Sequence, residues 1–255
     1  MCDSCGCAGH SLHNGHNHDH DGRDTGTPGT MNPLMDGKKT SYIFSSILDK
    51  NDKEAAHIRE HLKGKKIFSV NMMSSPGSGK TSLLEKTAEL MDLKMAVIEG
   101  DLETSRDADR IKAKGIPAYQ ITTGQSCHLD AFMVHQGLHH LPEEEESVLF
   151  IENVGNLVCP ASYDLGTHRN IVILSVPEGD DKVAKYPVMF RKADLVIISK
   201  WDLHEHFDFS YDRVVEDLTR LNSRALVMKI STKDPDSIKT WINYLKDERR
   251  REFNF

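Results

Sequence analysis

Apolar positions divide this sequence into three stretches of different character. Residues 1–38 show almost no apolar periodicity and are rich in His, Gly, Asp, Asn and Thr. Such a segment buries too little apolar surface to offset its ordering entropy, so a disordered tail is expected. From residue 41 to 62 the spacing is helical: Ile43, Phe44, Ile47 and Leu48, then Ala55, Ala56, Ile58 and Leu62. Asn51 or Asp52 is placed to cap a second helix there. After Lys63-Gly64-Lys65, short apolar runs alternate with helical patterns. The runs at 67–73, 95–99, 118–122, 148–153, 171–176, 195–199 and 225–230 predict seven strands. Helical patterns at 79–91, 107–114, 127–138, 211–221 and 235–248 fall between or after them. This alternation predicts an α/β fold with a mainly parallel central sheet of about seven strands and helices on both faces. The strands read as near-continuous apolar runs, as expected for burial on both faces. Two units result: a tail over 1–38, and a domain over 39–255 that starts with a helical extension.

Charge narrows the function classes. The 32 basic and 39 acidic residues leave a net charge of −7, whereas a general binder of nucleic acid or anionic membrane carries a basic excess. No apolar run approaches the ~20 residues that span a bilayer, and the first residues do not resemble a secretion signal. A cytoplasmic location is the expectation, without nucleic-acid or membrane partners.

The first strand run leads into Ser74-Ser75-Pro76-Gly77-Ser78-Gly79-Lys80-Thr81-Ser82. This is close to the phosphate-loop pattern G-x-x-x-x-G-K-[ST], with Ser74 at the first glycine, and it has the required strand before and helix after. The glycines let backbone N–H groups curl around a β-phosphate, and the helix start adds a positive dipole end. Lys80 reaches the β- and γ-phosphates, and the Thr81 hydroxyl ligates Mg²⁺. A plain Gly-Ser turn explains the glycines but not Lys80-Thr81 at this offset. Asp101 and Glu152 close two later strand runs, where an open α/β sheet forms its ligand crevice. Asp101 is a candidate to hold Mg²⁺ directly or through water, or to position the attacking water. Glu152 resembles a Walker-B acid, and Gly155 follows with a backbone N–H for the γ-phosphate. These three groups, Lys80, Asp101 and Glu152, are the candidate catalytic residues. Ser199-Lys200-Trp201-Asp202 resembles the guanine-reading N-K-x-D motif with Ser in place of Asn. A carboxylate at Asp202 accepts from guanine N1–H and N2–H₂ but faces a lone pair on adenine. Ser231 would supply a further base-contacting loop. The expected ligands are therefore GTP or GDP with Mg²⁺.

Metal-binding residues form two groups. Cys2, Cys5 and Cys7 make C-x-x-C-x-C, followed by His10, His13, His16, His18 and His20. A tight Cys cluster in a reducing compartment indicates a metal site rather than disulfides. A sulfur-rich set completed by the amino terminus or His10 suits planar Ni²⁺, whereas a tetrahedral sulfur set suits Zn²⁺. Cys127-His128 and Cys159 make a second candidate site, with Cys127 expected at a helix start and Cys159 after the γ-phosphate-facing 152–158 segment. His135, His139, His140, His204 and His206 are assigned to surface or core roles.

Taken together these residues resemble the hydrogenase nickel-incorporation GTPases of HypB type. The likeness is carried by Cys2 to Cys7, the 74–81 loop, the 98–101 segment, Cys127-His128-Leu129-Asp130, E-N-V-G-N-L-V-C-P at 152–160, E-G-D-D-K at 178–182 and the 199–203 segment. It implies a P-loop GTPase that delivers nickel during [NiFe]-hydrogenase maturation. It also implies a tail nickel site, an inner nickel or zinc site at Cys127, His128 and Cys159, and GTP-promoted homodimers. The implied partners are a small zinc-containing nickel chaperone and the hydrogenase large-subunit precursor. Ser199 for Asn and the missing Gly after Lys233 depart from the family pattern. The rival readings are a urease-accessory GTPase, a nickel storage protein with a vestigial nucleotide site, and an ATP-dependent kinase or ATPase.

Overall fold

The computed structural model describes residues 37–101, 106–124 and 126–254, with the side chains of 37–44 and 106 left out. Its core is one seven-stranded, entirely parallel sheet. In chain order the elements are α1 (Gly37–Gly64), β1 (Phe68–Ser74), α2 (Lys80–Leu90), β2 (Met95–Asp101), α3 (Arg106–Lys112), β3 (Ala118–Thr122), α4 (Ala131–Leu138), β4 (Val148–Glu152), β5 (Arg169–Ser175), α5 (Lys182–Lys185), α6 (Pro187–Arg191), β6 (Leu195–Ser199), α7 (Tyr211–Leu221), β7 (Leu226–Lys229) and α8 (Pro235–Phe253). The strand order is β3-β2-β4-β1-β5-β6-β7.

The alternation of side chains along each strand sorts the core into two faces. Phe68, Val70 and Met72 of β1 pack with Val97, Phe150, Ile173 and Ile197 against Leu83 and Leu84 of α2 and Trp241 of α8. On the opposite face, Ile98, Leu149 and Ile151 meet Ala55, Ile58 and Leu62 of α1 and Val134 of α4. Further along that face Val172, Leu174, Val196 and Ile198 meet Phe190 of α6 and Val214 of α7. The Trp241 indole donates to Thr87 Oγ1 at 3.0 Å, tying α8 to the helix that follows the phosphate loop.

Several local expectations are corrected. The 41–62 region is one 28-residue helix, not two. Asn51 is buried in it and caps nothing on its own element. Instead its side chain accepts from Ala131 N and donates to the Asp164 carbonyl, both at 2.9 Å, so it fastens α1 to α4. Residues 37 and 38 belong to α1, so the expected tail boundary falls inside the helix; the expected disorder of 1–36 lies outside the described residues. The fourth helix starts at Ala131 rather than 127, because the Asp130 side chain accepts from Met133 N at 2.8 Å and caps it. Cys127 and His128 thus lie in a loop. Short helices α5 and α6 between β5 and β6 were not expected from the spacing. Among the described residues no helix is long and apolar enough to cross a membrane.

Candidate functional site

A cleft of about 480 Å³ opens at the carboxyl ends of the central strands. One wall is the 75–82 loop after β1. Gly77 and Gly79 have φ of +75° and +98°, a left-handed backbone that side chains resist and that phosphate-cradling loops use. Gly79 stands immediately before α2, whose first residues are Lys80 and Thr81. Ser74, at the position of the usual glycine, fits because its side chain is used. Its hydroxyl donates to the Ser75 carbonyl at 2.7 Å and accepts from Lys80 Nζ at 2.9 Å. Lys80 is thereby held folded into its own loop.

The opposite wall is acidic. β2 and β4 pair with Glu99 directly beside Glu152. Glu152 Oε1 accepts from the Thr81 hydroxyl at 2.9 Å, while Glu152 Oε2 and Glu99 Oε2 are buried without hydrogen-bond partners. Desolvation, reinforced by the adjacent Glu152, pushes Glu99 up to about 8. Desolvation also raises Glu152 to about 7, against the attraction of Lys80 and the Thr81 hydrogen bond. Two adjacent buried carboxyls with orphaned oxygens beside a hydroxyl form a hard oxygen donor set, which fits Mg²⁺. Asp101, Asp107, Arg110 and Lys200 complete the lining. Arg110 is fixed by Glu85 through Nε at 3.1 Å and Nη2 at 2.6 Å, and by Asp107 at 2.9 Å.

Gly155 lies against the phosphate loop: a Cβ there would sit 3.0 Å from Pro76 Cα and N, tighter than side chains ordinarily pack, so a larger residue would have to push the loop back by a few tenths of an ångström. Ser199, which replaces the motif Asn, donates its hydroxyl to the Ser78 carbonyl at 2.6 Å. Lys200 has φ of +55° and donates to the Gly77 carbonyl at 2.8 Å. These two bonds brace the 199–202 segment against the phosphate loop. Asp202 and Ser231 lie beyond the cleft lining. The Asp202 carboxylate accepts from Lys233 Nζ at 2.7 Å and the Ser231 hydroxyl at 2.8 Å, and these contacts hold it below the usual carboxylate range.

Cys127, His128 and Cys159 converge, with donor atoms all within 4.8 Å of one another. The Cys127 sulfur lies 3.9 Å from His128 Nδ1. Cys159 opens a short 3-10 turn, Cys159–Ser162. His128 is buried and stacks on Tyr163 with ring centroids 4.0 Å apart. Burial lowers its pKa, so near pH 7 the ring is neutral and offers a lone pair.

This trio is wired to the cleft through Asn153, which also lines it. Asn153 Oδ1 accepts from Leu129 N at 3.1 Å and from Val154 N at 3.0 Å, and its amide donates to Asn71 Oδ1 at 3.2 Å. Asn156 adds a 3.4 Å bond to the Cys127 carbonyl.

Of the expected site residues, Pro76, Gly77, Gly79, Lys80, Thr81, Ser82, Asp101, Glu152, Gly155 and Lys200 line one cleft. Cys127, His128 and Cys159 form one cluster. Cys2, Cys5, Cys7, His10, His13, His16, His18 and His20 lie outside the described residues. Sequence reasoning missed Glu99, Asp107, Arg110 and Asn153. Glu99 was visible as a strand-end acid two residues before Asp101, and Asn153 lies inside the E-N-V-G-N-L-V-C-P run; Asp107 and Arg110 carry no local signal.

The family model for the CobW/HypB/UreG nucleotide-binding domain matches residues 69–229. The hydrogenase/urease maturation factor HypB of Helicobacter pylori is 50% identical over 226 residues, covering 87% of this chain and 93% of the relative. The hydrogenase maturation factor HypB of Escherichia coli K12 is 41% identical over 242 residues, covering 93% and 80%. Among solved structures, H. pylori HypB in complex with nickel superposes with a TM-score of 0.78 at 50% identity, over 80% of this chain and 97% of the other. HypB from Archaeoglobus fulgidus gives 0.74 at 37% identity, over 79% and 100%. Sequence, fold and site agree: the chain belongs to the CobW/HypB/UreG family of nucleotide-binding proteins, and within it to the HypB hydrogenase maturation factors.

Proposed function

We propose that this chain is a GTP-hydrolysing nickel metallochaperone, which binds Ni²⁺ and delivers it to the large-subunit precursor of a [NiFe]-hydrogenase. The observation that carries the reading is Asn153. One amide joins the backbone beside the Cys127–His128–Cys159 trio to the segment facing the phosphate loop. A nucleotide's terminal phosphate and a metal ion would therefore act on the same few residues.

In this reading Lys80 leaves Ser74 for the β- and γ-phosphate oxygens, and the backbone N–H groups of Pro76's successors, from Gly77 to Ser82, cradle the β-phosphate. Thr81, Glu152 and Asp101 would hold Mg²⁺, which supplies charge neutralisation at the β- and γ-phosphate oxygens. Asp101 orients the attacking water. Gly155 N–H meets the γ-phosphate and stiffens the 152–160 segment, which contains Cys159. Asp202 exchanges its Ser231 and Lys233 contacts for guanine N1–H and N2–H₂, with the Lys200 stem along the base plane.

Ni²⁺ as cargo would load on Cys2, Cys5 and Cys7 with the tail imidazoles. It would pass through the inner site, where two thiolates and a neutral imidazole suit Ni²⁺ or Zn²⁺. Val158, next to Cys159 in the chain, and Phe132, on α4, are exposed apolar side chains; a GTP-promoted homodimer would cover them and add donors from a second copy. A small zinc-containing nickel chaperone is the proposed partner, and the cytoplasm, which keeps thiols reduced, the proposed location. A urease client is the second reading, favoured by the double name of the H. pylori relative.

The test titrates Ni²⁺ into the protein with GDP and with a non-hydrolysable GTP analogue. Different affinities at the inner site are expected, by linkage. Equal affinities would remove the coupling, and GTP turnover that survives Lys80→Ala would remove the catalytic assignment.

A further inference from the structure

A second group of imidazoles lies on the other side of the Asn51 fastening, where α1 packs against α4. On α1, His57 follows Glu54 by three residues and precedes His61 by four, spacings that put all three on one helix face. On α4, His135 and His139 are four apart in the same way, His139 being the residue that ends the helix. The two faces meet. Glu54 Oε1 contacts His135 Nδ1 and lies 3.9 Å from His57 Nδ1. The donor atoms of Glu54, His57 and His135 are all within 4.8 Å of one another. The His135 ring centroid is 5.1 Å from that of His57 and 5.0 Å from that of His139. A cavity of about 230 Å³ is lined by His57, His135 and His139 together with His61 and Glu143.

We propose that Glu54, His57 and His135, with His139 as a fourth donor, form a further site for a divalent transition-metal ion on the surface between α1 and α4. The donor chemistry defines the ion. Two or three imidazoles and one carboxylate are borderline donors without sulfur, and they suit Zn²⁺ and Ni²⁺ over Mg²⁺ or Ca²⁺. Packing alone does not account for the cluster. His57 is 64% exposed along its side chain, so it adds little to the core, and Ile58 and Leu138 already fill the seam behind it. Glu54 Oε1 is close to a ring nitrogen of each histidine, so one carboxylate and two imidazoles present donor atoms to the same small volume. An ion held here would clamp α1 to α4, the helix that begins three residues after His128 of the inner trio. The site stands on these residues alone and needs no nucleotide.

The test uses the untagged full-length chain with the competing donors changed: Cys2, Cys5, Cys7, Cys127 and Cys159 to Ser, and His10, His13, His16, His18 and His20 to Asn. Equilibrium dialysis against Zn²⁺, and separately Ni²⁺, is run with excess Mg²⁺ to occupy the Glu99–Glu152 carboxyls. One bound ion per chain is expected, together with a Zn²⁺-dependent rise in melting temperature. His57→Ala and His135→Ala should each weaken binding at least about tenfold and remove the rise, whereas His204→Ala should change neither. No ion taken up, or His57→Ala and His135→Ala binding as tightly as their parent, overturns the proposal. Because His57 is exposed, its substitution does not endanger the fold. The unsubstituted chain crystallised with Zn²⁺ gives an independent reading: an anomalous peak between Glu54, His57 and His135 supports the site, and its absence sinks it.

Discussion

Asn153→Ala tests the proposed link between phosphate and metal most directly. The side chain is 1% exposed, and its single oxygen satisfies two backbone N–H groups, those of Leu129 and Val154. Alanine leaves both donors buried without a partner, at roughly 1–3 kcal/mol each. A total near ~3 kcal/mol corresponds to a fall of about 6–12 °C in melting temperature for a domain of this size. The functional effect is separate from the stability effect. In the parent, Ni²⁺ affinity at the inner site should differ between GDP and a GTP analogue by a coupling factor, and couplings of this kind are typically ~1–3 kcal/mol. The variant keeps all three donors, so it should still bind Ni²⁺ with GDP, but its affinity ratio should collapse toward unity. The assay is competition for Ni²⁺ against a colorimetric chelator, in both nucleotide states, well below the variant's melting point. A variant that keeps the parent ratio would show that the coupling does not run through this amide.

Other outcomes follow from the same contacts. Glu99 releases its proton near 4.5 when unfolded but only near 8 when folded. Its contribution to stability is therefore complete below 4.5 and is lost as pH rises toward 8. In the absence of nucleotide and Mg²⁺, melting temperature should decline across that window, and Glu99→Gln should make the decline shallower; an unchanged slope would refute the assignment. Asp202→Asn should reduce the preference for GTP over xanthosine triphosphate by about tenfold or more, measured by competition with a fluorescent nucleotide. An unaltered preference would take Asp202 out of base recognition. Trp241→Phe removes the buried bond to Thr87 and some core volume, so about 2 kcal/mol of stability should be lost in a urea titration. A loss well under 0.5 kcal/mol would show that the indole N–H contributes nothing there.

The strand-and-helix alternation was legible because both periods are written locally: apolar runs for strands buried on two faces, and helical spacing between them. The phosphate loop was legible for the same reason, since its residues are consecutive and its geometry comes from glycines adjacent to the lysine. Spacing predicted a break at Asn51 because a polar residue in an apolar helix reads as a cap. In the fold that side chain reaches 80 positions along the chain to Ala131, where a buried amide needs an acceptor.

Sequence by itself therefore determined the α/β class, the phosphate loop, the strand-end acids Asp101 and Glu152, and the candidate trio Cys127, His128 and Cys159. Tertiary structure alone decided which of these meet. Strand register put Glu99 beside Glu152; burial raised both carboxyls, and the neighbouring Glu152 charge raised Glu99 further, because a buried carboxyl is costly to ionise. Helix packing brought His135 to Glu54, and the β4 loop carried Asn153 to Leu129. Each of these depends on contacts between residues distant in the chain, and local periodicity carries no record of them.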